Sequence, residues 1–220
     1  ILFIIILFVF FTYLIVGVFD IRKNIFIESI NSVERGNICL TFDDGPDPIM
    51  TPKILDVLKK YSIKGTFFLI GENVCANQEL VRRISDEGHS IGNHTYYHKA
   101  TFPIFSKKSM TKELKKSNDI IQRITKKKIR LFRCPFGISN IRINTVLKRL
   151  NLTSIGWDIR SLDTVTNDSV KLYNKVKKGI DKGGSIILFH DRCKSTLAVL
   201  EDIIIYCLEK NLRFKTIDNA

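Results

Sequence analysis

From Ile38 onward, short apolar runs alternate with segments whose apolar residues recur at helical spacing. The runs Ile38–Phe42, Thr66–Ile70, Ser90–Asn93, Leu131–Arg133, Ser154–Trp157, Ser185–Phe189 and Arg213–Ile217 predict strands. Between most of them lie amphipathic stripes. Ile54, Leu55, Leu58 and Tyr61 share one helical face, and Leu80, Val81 and Ile84 another. Leu114, Ile121 and Ile124 form a third stripe, and Leu197, Leu200, Ile204, Cys207 and Leu208 a fourth. Gly65 and Gly183-Gly184 fall where helices must stop before strands begin. A repeated β-then-α order implies parallel strands with helices outside. About seven such units over this length suit an α/β fold of the barrel type better than a doubly wound sheet. In either fold, chemistry gathers at the C-terminal ends of the strands.

The N-terminal pattern is different. Residues 1–19 carry no charge, and only Thr12, Tyr13 and Gly17 interrupt a run of Ile, Leu, Phe and Val. As a helix they span roughly 28 Å, close to a hydrocarbon core. A buried core helix is seldom apolar on every face. A cleaved signal has a shorter apolar region before a small-x-small site, which Val16-Gly17-Val18-Phe19 does not offer. The expectation is an uncleaved transmembrane anchor over 1–19, a polar connector over 20–36 and a folded domain over 37–220. Because the first residue is Ile rather than Met, an upstream stretch is also expected, and Arg22-Lys23 after the span pull against export.

Composition narrows the class. The 220 residues are 45% hydrophobic and 10% aromatic, with 5 prolines and 12 glycines, which excludes disordered and collagen-like chains. No internal repeat marks a solenoid. Basic residues number 35 against 22 acidic, a net charge of +13. The surplus includes Lys107-Lys108, Lys115-Lys116 and Lys126-Lys127-Lys128, read first as solvated helix faces and second as attraction to anionic polymers. With no zinc finger, RNP-type segment or heptad zipper, no nucleic-acid partner is expected. The 5 cysteines contain no CxxC pair, so a cysteine zinc site is not expected, and the odd count leaves at least one free thiol.

The polar residues at the predicted strand ends carry the candidate chemistry. Thr41-Phe42 runs into Asp43-Asp44-Gly45-Pro46; two adjacent acids can divide cation binding and proton transfer, although Asp-rich turns with Gly and Pro are common. His94 and His98 stand four apart, and two imidazoles with a carboxylate such as Asp44 form a facial set for a divalent ion. His190 follows the apolar run Ser185–Phe189, where a chain emerging from a core favours a general acid or base. Arg133 ends another strand, and Asp158, Arg160 and Asp163 follow the next. His89 is given no role.

These residues form five ordered motifs covering about residues 38–217, and on them the chain resembles the polysaccharide deacetylases of the NodB-homology type, carbohydrate esterase family 4. Thr41-Phe42-Asp43-Asp44-Gly45-Pro46 matches the first motif and His94-Thr95-Tyr96-Tyr97-His98 the second. Arg133-Cys134-Pro135-Phe136 resembles the third and Trp157–Asp163 the fourth, and Leu188-Phe189-His190 matches the fifth. The resemblance implies a distorted (β/α) barrel and metal-dependent hydrolysis of N-acetyl groups on sugar polymers.

It further implies that Asp44, His94 and His98 bind the metal, usually zinc, with cobalt or another divalent ion able to substitute. Asp43 would be the general base toward the attacking water, held by Arg133, and His190 the general acid, oriented by Asp163 with Asp158 as a second candidate. Phe136 would help stabilise the oxyanion through its N–H and, with Trp157 and Leu188, line the substrate groove. The sequence departs from the family where Thr164 follows Asp163, where Arg160 stands in place of a frequent acid, and where Cys134 replaces a proline. The expected protein is a monomeric, membrane-anchored N-deacetylase facing the extracytoplasmic space and acting on peptidoglycan, chitin-like or poly-N-acetylglucosamine polymers. An O-acetyl esterase and a catalytically silent glycan-binding module are the alternatives.

Overall fold

In a computed structural model that describes residues 2–220, the strand β2 (Asn37–Asp43) is buried over its whole length and organises the sheet. Side chains alternate across a strand, and here the two sets go to different places. Ile38, Leu40 and Phe42 pack outward beneath the helices α2 (Met50–Lys60) and α8 (Lys194–Glu209). Cys39 joins an inner cluster with Phe68, Leu131, Ile155, Trp157, Ile186 and Leu188, and Thr41 and Asp43 continue that inner row toward the top.

β3 (Thr66–Leu69) and β8 (Ile186–His190) flank β2 and repeat the alternation. Phe67 and Phe189 stack on Phe42 outside the sheet, at centroid distances of 4.8 and 6.1 Å. His190 pairs in register with Asp43, so the histidine of the fifth motif and the first aspartate of the first motif arrive side by side.

The remaining strands are β1 (Ser29–Ile30), β4 (Ser90–Asn93), β5 (Leu131–Phe132), β6 (Thr153–Ile155), β7 (Ile159–Arg160) and β9 (Arg213–Phe214). Every pairing is parallel, in the order β1-β6-β5-β4-β3-β2-β8-β7, with β9 added on β2. β6 and β7 lie at opposite ends of the path from β5 to β8, yet only Gly156–Asp158 separate them in the chain. That short segment brings the two ends of the curled sheet together, which is the distortion expected of the barrel. Inside, Gly92 allows close approach: a Cβ there would sit 2.5 Å from the Phe68 ring.

The helices α3 (Gly71–Ala76), α4 (Gln78–Asp86), α5 (Lys107–Thr125), α6 (Ile141–Leu150) and α7 (Ser169–Asp181) complete the outer layer with α2 and α8. All seven expected strands form. β1 and β7 were not anticipated, since two-residue strands are too short to show a period. The segment 20–36, expected as a polar connector, packs on the barrel. Ile21 and Ile27 are each 2% exposed, and Ser29–Ile30 pair with Ser154–Ile155. Its apolar residues, Ile21, Ile25-Phe26-Ile27, Ile30 and Val33, are irregularly spaced, and Ile21 and Ile27 enter different clusters, so they produce no periodic signal. The five cysteines are all free, and burial pushes the Cys39 and Cys207 thiols up to about 12.

The helix α1 (Leu2–Phe19) has 18 residues and a mean hydropathy of 3.0, with 6% of it buried. It is long and apolar enough to cross a membrane, a property that anchors and signal sequences share.

Candidate active site

The C-terminal ends of β2, β4, β5, β7 and β8 open on one pocket. It is lined by Asp43, Asp44, His94, His98, Phe136, Trp157, Leu188 and His190, together with Cys134, Gly137, Arg160, Thr164 and Arg192. In an undistorted strand, neighbouring side chains face opposite ways, so Asp43 and Asp44 would not share a pocket. Asp44 adopts φ +74°, a left-handed conformation that turns its carboxylate back over the barrel mouth.

Asp44, His94 and His98 present ligand atoms within 4.8 Å of one another. Nε2 of His94 and of His98 lie 3.5 and 3.4 Å from Oδ1 of Asp44. His94 Nδ1 lies 2.8 Å from the Arg133 carbonyl, an acceptor, which makes Nδ1 the protonated nitrogen and leaves the Nε2 lone pair toward the cluster. Asp44 Oδ1 is buried without a hydrogen-bond partner. A buried, orphaned carboxylate oxygen beside two imidazole lone pairs is the donor set a divalent cation satisfies. Burial opposes ionisation of Asp44, but His94, Arg192 and His98 outweigh it and hold the carboxyl far below its usual range. Burial and the neighbouring His94 ring lower His98 to about 4, keeping it neutral and able to ligate.

Asp43, 4% exposed, accepts 2.8 Å from Arg133 Nη1. Arg133 is fully buried. Its guanidinium also donates to Thr41 Oγ1 at 2.7 Å, Ile155 O at 3.2 Å and Gly156 O at 2.8 Å, and lies 4.2 Å over the Phe68 ring. A buried ion pair persists only when such bonds satisfy the remaining donors, and this one fixes the carboxylate with its free Oδ2 3.8 Å from His94 Nε2.

His190 Nδ1 lies 2.8 Å from Asp163 Oδ1, and the His190 N–H donates to Asp163 Oδ2 at 2.6 Å. Ser161, Thr196 and Ser195 hold Asp163 through its two carboxylate oxygens and its carbonyl. Burial disfavours the charged imidazole, but Asp163 outweighs it, so the His190 pKa is raised. Asp158, the other candidate for this contact, lies elsewhere: its carboxylate accepts from the Ser185 and Ile186 N–H groups at the start of β8.

The Phe136 ring lies 4.9 Å from the His98 ring and is 57% exposed, as a groove platform would be. Arg192, which the sequence reading missed, donates through Nε to Asp44 Oδ2 at 2.8 Å. Its one sign in the sequence is a cation two residues past His190, with no motif around it. Asp191 was missed too: burial pushes it up to about 7, and Thr51 Oγ1 donates to it at 2.6 Å. His89 lies away from the pocket, its Nδ1 accepting from the Gly65 N–H.

The chain is similar to known proteins in sequence and in fold. The chain is 34% identical over 211 residues to the peptidoglycan-N-acetylmuramic acid deacetylase PdaA of Bacillus subtilis, covering 90% of this chain and 78% of that protein. The crystal structure of the Bc1960 peptidoglycan N-acetylglucosamine deacetylase aligns with a TM-score of 0.78 at 31% identity, over 86% of this chain and 90% of that one. BA3943 from Bacillus anthracis, described as a CE4 family pseudoenzyme, aligns at 0.78 and 27% identity over 84% and 65%. The family model for polysaccharide deacetylase matches residues 31–155. The chain therefore belongs to the polysaccharide deacetylases, the hydrolases of carbohydrate esterase family 4.

Proposed function

We propose that this chain is a metal-dependent N-deacetylase of an N-acetylglucosamine-containing envelope polysaccharide, held to the membrane by α1 with its barrel on the extracytoplasmic side. The observation that carries the reading is the pairing of two proton-transfer groups across one three-ligand cluster. Asp43 is locked by Arg133 on one side, and His190 by Asp163 on the other.

Hydrolysis of an N-acetyl group needs a nucleophile, a stabilised oxyanion and a protonated leaving nitrogen. Asp44, His94 and His98 would hold the divalent ion, zinc by its donor set, which when bound acidifies the attacking water and polarises the acetyl carbonyl. Asp43 takes the proton as the water oxygen bonds to the carbonyl carbon. Its pairing with Arg133 keeps the accepting oxygen aimed into the pocket. His190 delivers its proton to the sugar nitrogen as the C–N bond breaks, leaving acetate and a free amine. The raised His190 pKa keeps that proton available toward neutral pH. Trp157, Leu188 and Phe136 form the walls on which a sugar ring would rest.

Peptidoglycan is the favoured substrate because relatives of both N-acetylmuramic acid and N-acetylglucosamine specificity are named for it. The chain differs from a silent module in keeping both proton-transfer residues. Acetate release from peptidoglycan and from N-acetylglucosamine oligomers, with zinc or with chelator, tests the proposal. Zinc-dependent acetate that Asp43→Asn abolishes supports it. A folded, zinc-loaded protein that releases none from either substrate refutes it, and acetate from O-acetylated polymers alone establishes the esterase.

A further inference from the structure

α1 meets the barrel at its C-terminal end. Among its described residues, Leu14, Gly17 and Val18 alone are withdrawn from solvent. The contact is specific. Ser139 donates from Oγ to Gly17 O at 2.6 Å and from its N–H to Val18 O at 2.9 Å, taking two carbonyls that a helix end leaves unpaired. A Cβ at Gly17 would lie 2.8 Å from the Phe26 ring and 2.9 Å from Ile25, so this glycine is what lets the helix seat.

Ser139 belongs to the loop that begins at Arg133 and carries Phe136. Three residues reach at most about 11 Å, and the Phe136 ring is 4.9 Å from His98. The metal-ligand cluster therefore lies within roughly 20 Å of the end of α1 once side-chain lengths are included.

The surface around that end is apolar with basic flanks. Asn140 Nδ2 donates to Pro103 O at 2.8 Å and Arg142 Nη1 to Ile104 O at 3.1 Å, tying two loops together beside Ser139. Ile104 and Ile141 project from them, 73% and 67% exposed, with Arg142 between them and Arg22-Lys23 just beyond the helix. Exposed isoleucines with adjacent arginines continuing directly from a span fit the interfacial layer of a bilayer.

On the reading of α1 as an anchor, we propose that the Ser139 face, with Ile104 and Ile141, lies in the membrane interface, so that the groove works on acetylated glycan held within about 20 Å of the bilayer. The wall polymer is then modified where it lies against the membrane.

The test uses the full chain in vesicles of phosphatidylcholine and phosphatidylglycerol, some brominated in the upper acyl chain. Flotation with the vesicles reports the anchor; a protein that does not float refutes the anchor and this proposal together. In floating protein, the Ile141→Trp and Ile104→Trp variants are expected to lose most of their added emission to bromine. Lys182→Trp, at the opposite end of the barrel, is expected to keep it. Unquenched variants at 104 and 141 overturn the proposal and leave the patch to a protein partner or a second copy.

The second arm offers N-acetylglucosamine oligomers coupled to lipid through rigid tethers of increasing length. Acetate release is expected to fall severalfold once the sugar is lifted past the groove; equal rates at all lengths overturn the distance claim. Quenching without acetate from any substrate leaves the docking in place and refutes the deacetylase reading instead.

Discussion

Asp163→Asn replaces one carboxylate oxygen by an amide nitrogen in a fully buried side chain, so shape is kept while charge is lost. The carboxylate faces His190 Nδ1, the His190 N–H, Ser161 Oγ and Thr196 Oγ1 at 2.5–3.0 Å. The hydroxyls can reorient to the amide; the imidazolium cannot replace its anion. A hydrogen bond to a charged group is worth about 1.5–3 kcal/mol. If the transition state keeps the imidazolium partner and the variant lacks it, kcat falls by about tenfold to about a hundredfold. The pH profile gives the sharper reading. His190 must be protonated to act, so activity persists below its pKa and is lost above it. Asp163 raises that pKa against the opposing effect of burial. Removing the anion leaves burial to dominate, and the basic limb of kcat moves to lower pH. The assay is acetate release from a soluble N-acetylglucosamine oligomer across pH, with circular dichroism to confirm folding. A uniform drop in kcat with the basic limb unmoved would show that Asp163 merely braces the loop, and would refute the argument.

Other consequences can be checked independently. Arg192→Met should leave the fold intact but weaken zinc binding about ten- to a hundredfold by equilibrium dialysis, because Asp44 loses the partner on its outer oxygen. Gly137→Ala should destabilise the protein in urea by about 2–4 kcal/mol, since this residue has φ +68° and a Cβ would lie 2.5 Å from Trp157. Burial lowers the His89 pKa from 6.5 to about 4. A depressed folded pKa means stability that is complete above the unfolded value and lost as pH falls through the folded one. Acidification from pH 6.5 to 4 should therefore cost up to about 3 kcal/mol at this residue. The urea midpoint should lose that part of its pH dependence in His89→Gln.

The candidate site was legible where its chemistry is contiguous in the chain. Asp43-Asp44, His94 through His98, and His190 each announce themselves at the end of an apolar run, and the parallel order of the strands gathers them at one end. The partners that hold those groups were harder to see. Asp163 is the first and Asp158 the second sequence candidate for the His190 partner, and the hydrogen bonds separate them: Asp158 closes on β8 amides, Asp163 on the imidazole. Arg192 had no motif to mark it, because its function depends on reaching across from β8 to a neighbouring loop. β1 escaped notice since Ile21, Ile27 and Ser29–Ile30 find separate slots, and periodicity registers only a shared face.

Backbone conformation explains why adjacent residues can serve one pocket. Asp44, Thr95, His98, Phe136 and Leu162 all have positive φ, and all stand in the loops around the site. The other non-glycine residues in this region, among them Asn24, Lys126 and Asn151, cap helices, where a left-handed residue is ordinary. At the site no cap is made, and each left-handed residue costs roughly 1–2 kcal/mol. The expense has a geometric purpose. A strand that stayed regular through Asp43 and Asp44 would aim one acid into the barrel and the other at the helices. Reversing φ at Asp44 brings both carboxylates to the same opening, and reversing it at His98 brings the second imidazole back beside the first, their rings 4.7 Å apart. The buried rows beneath, with Arg133 satisfied on four acceptors, supply the rigidity that keeps these residues from relaxing. The placement of the Asp44, His94 and His98 donors and the core packing beneath them are thus one structure, and loosening Arg133 would release the strain before it displaced any of those donors.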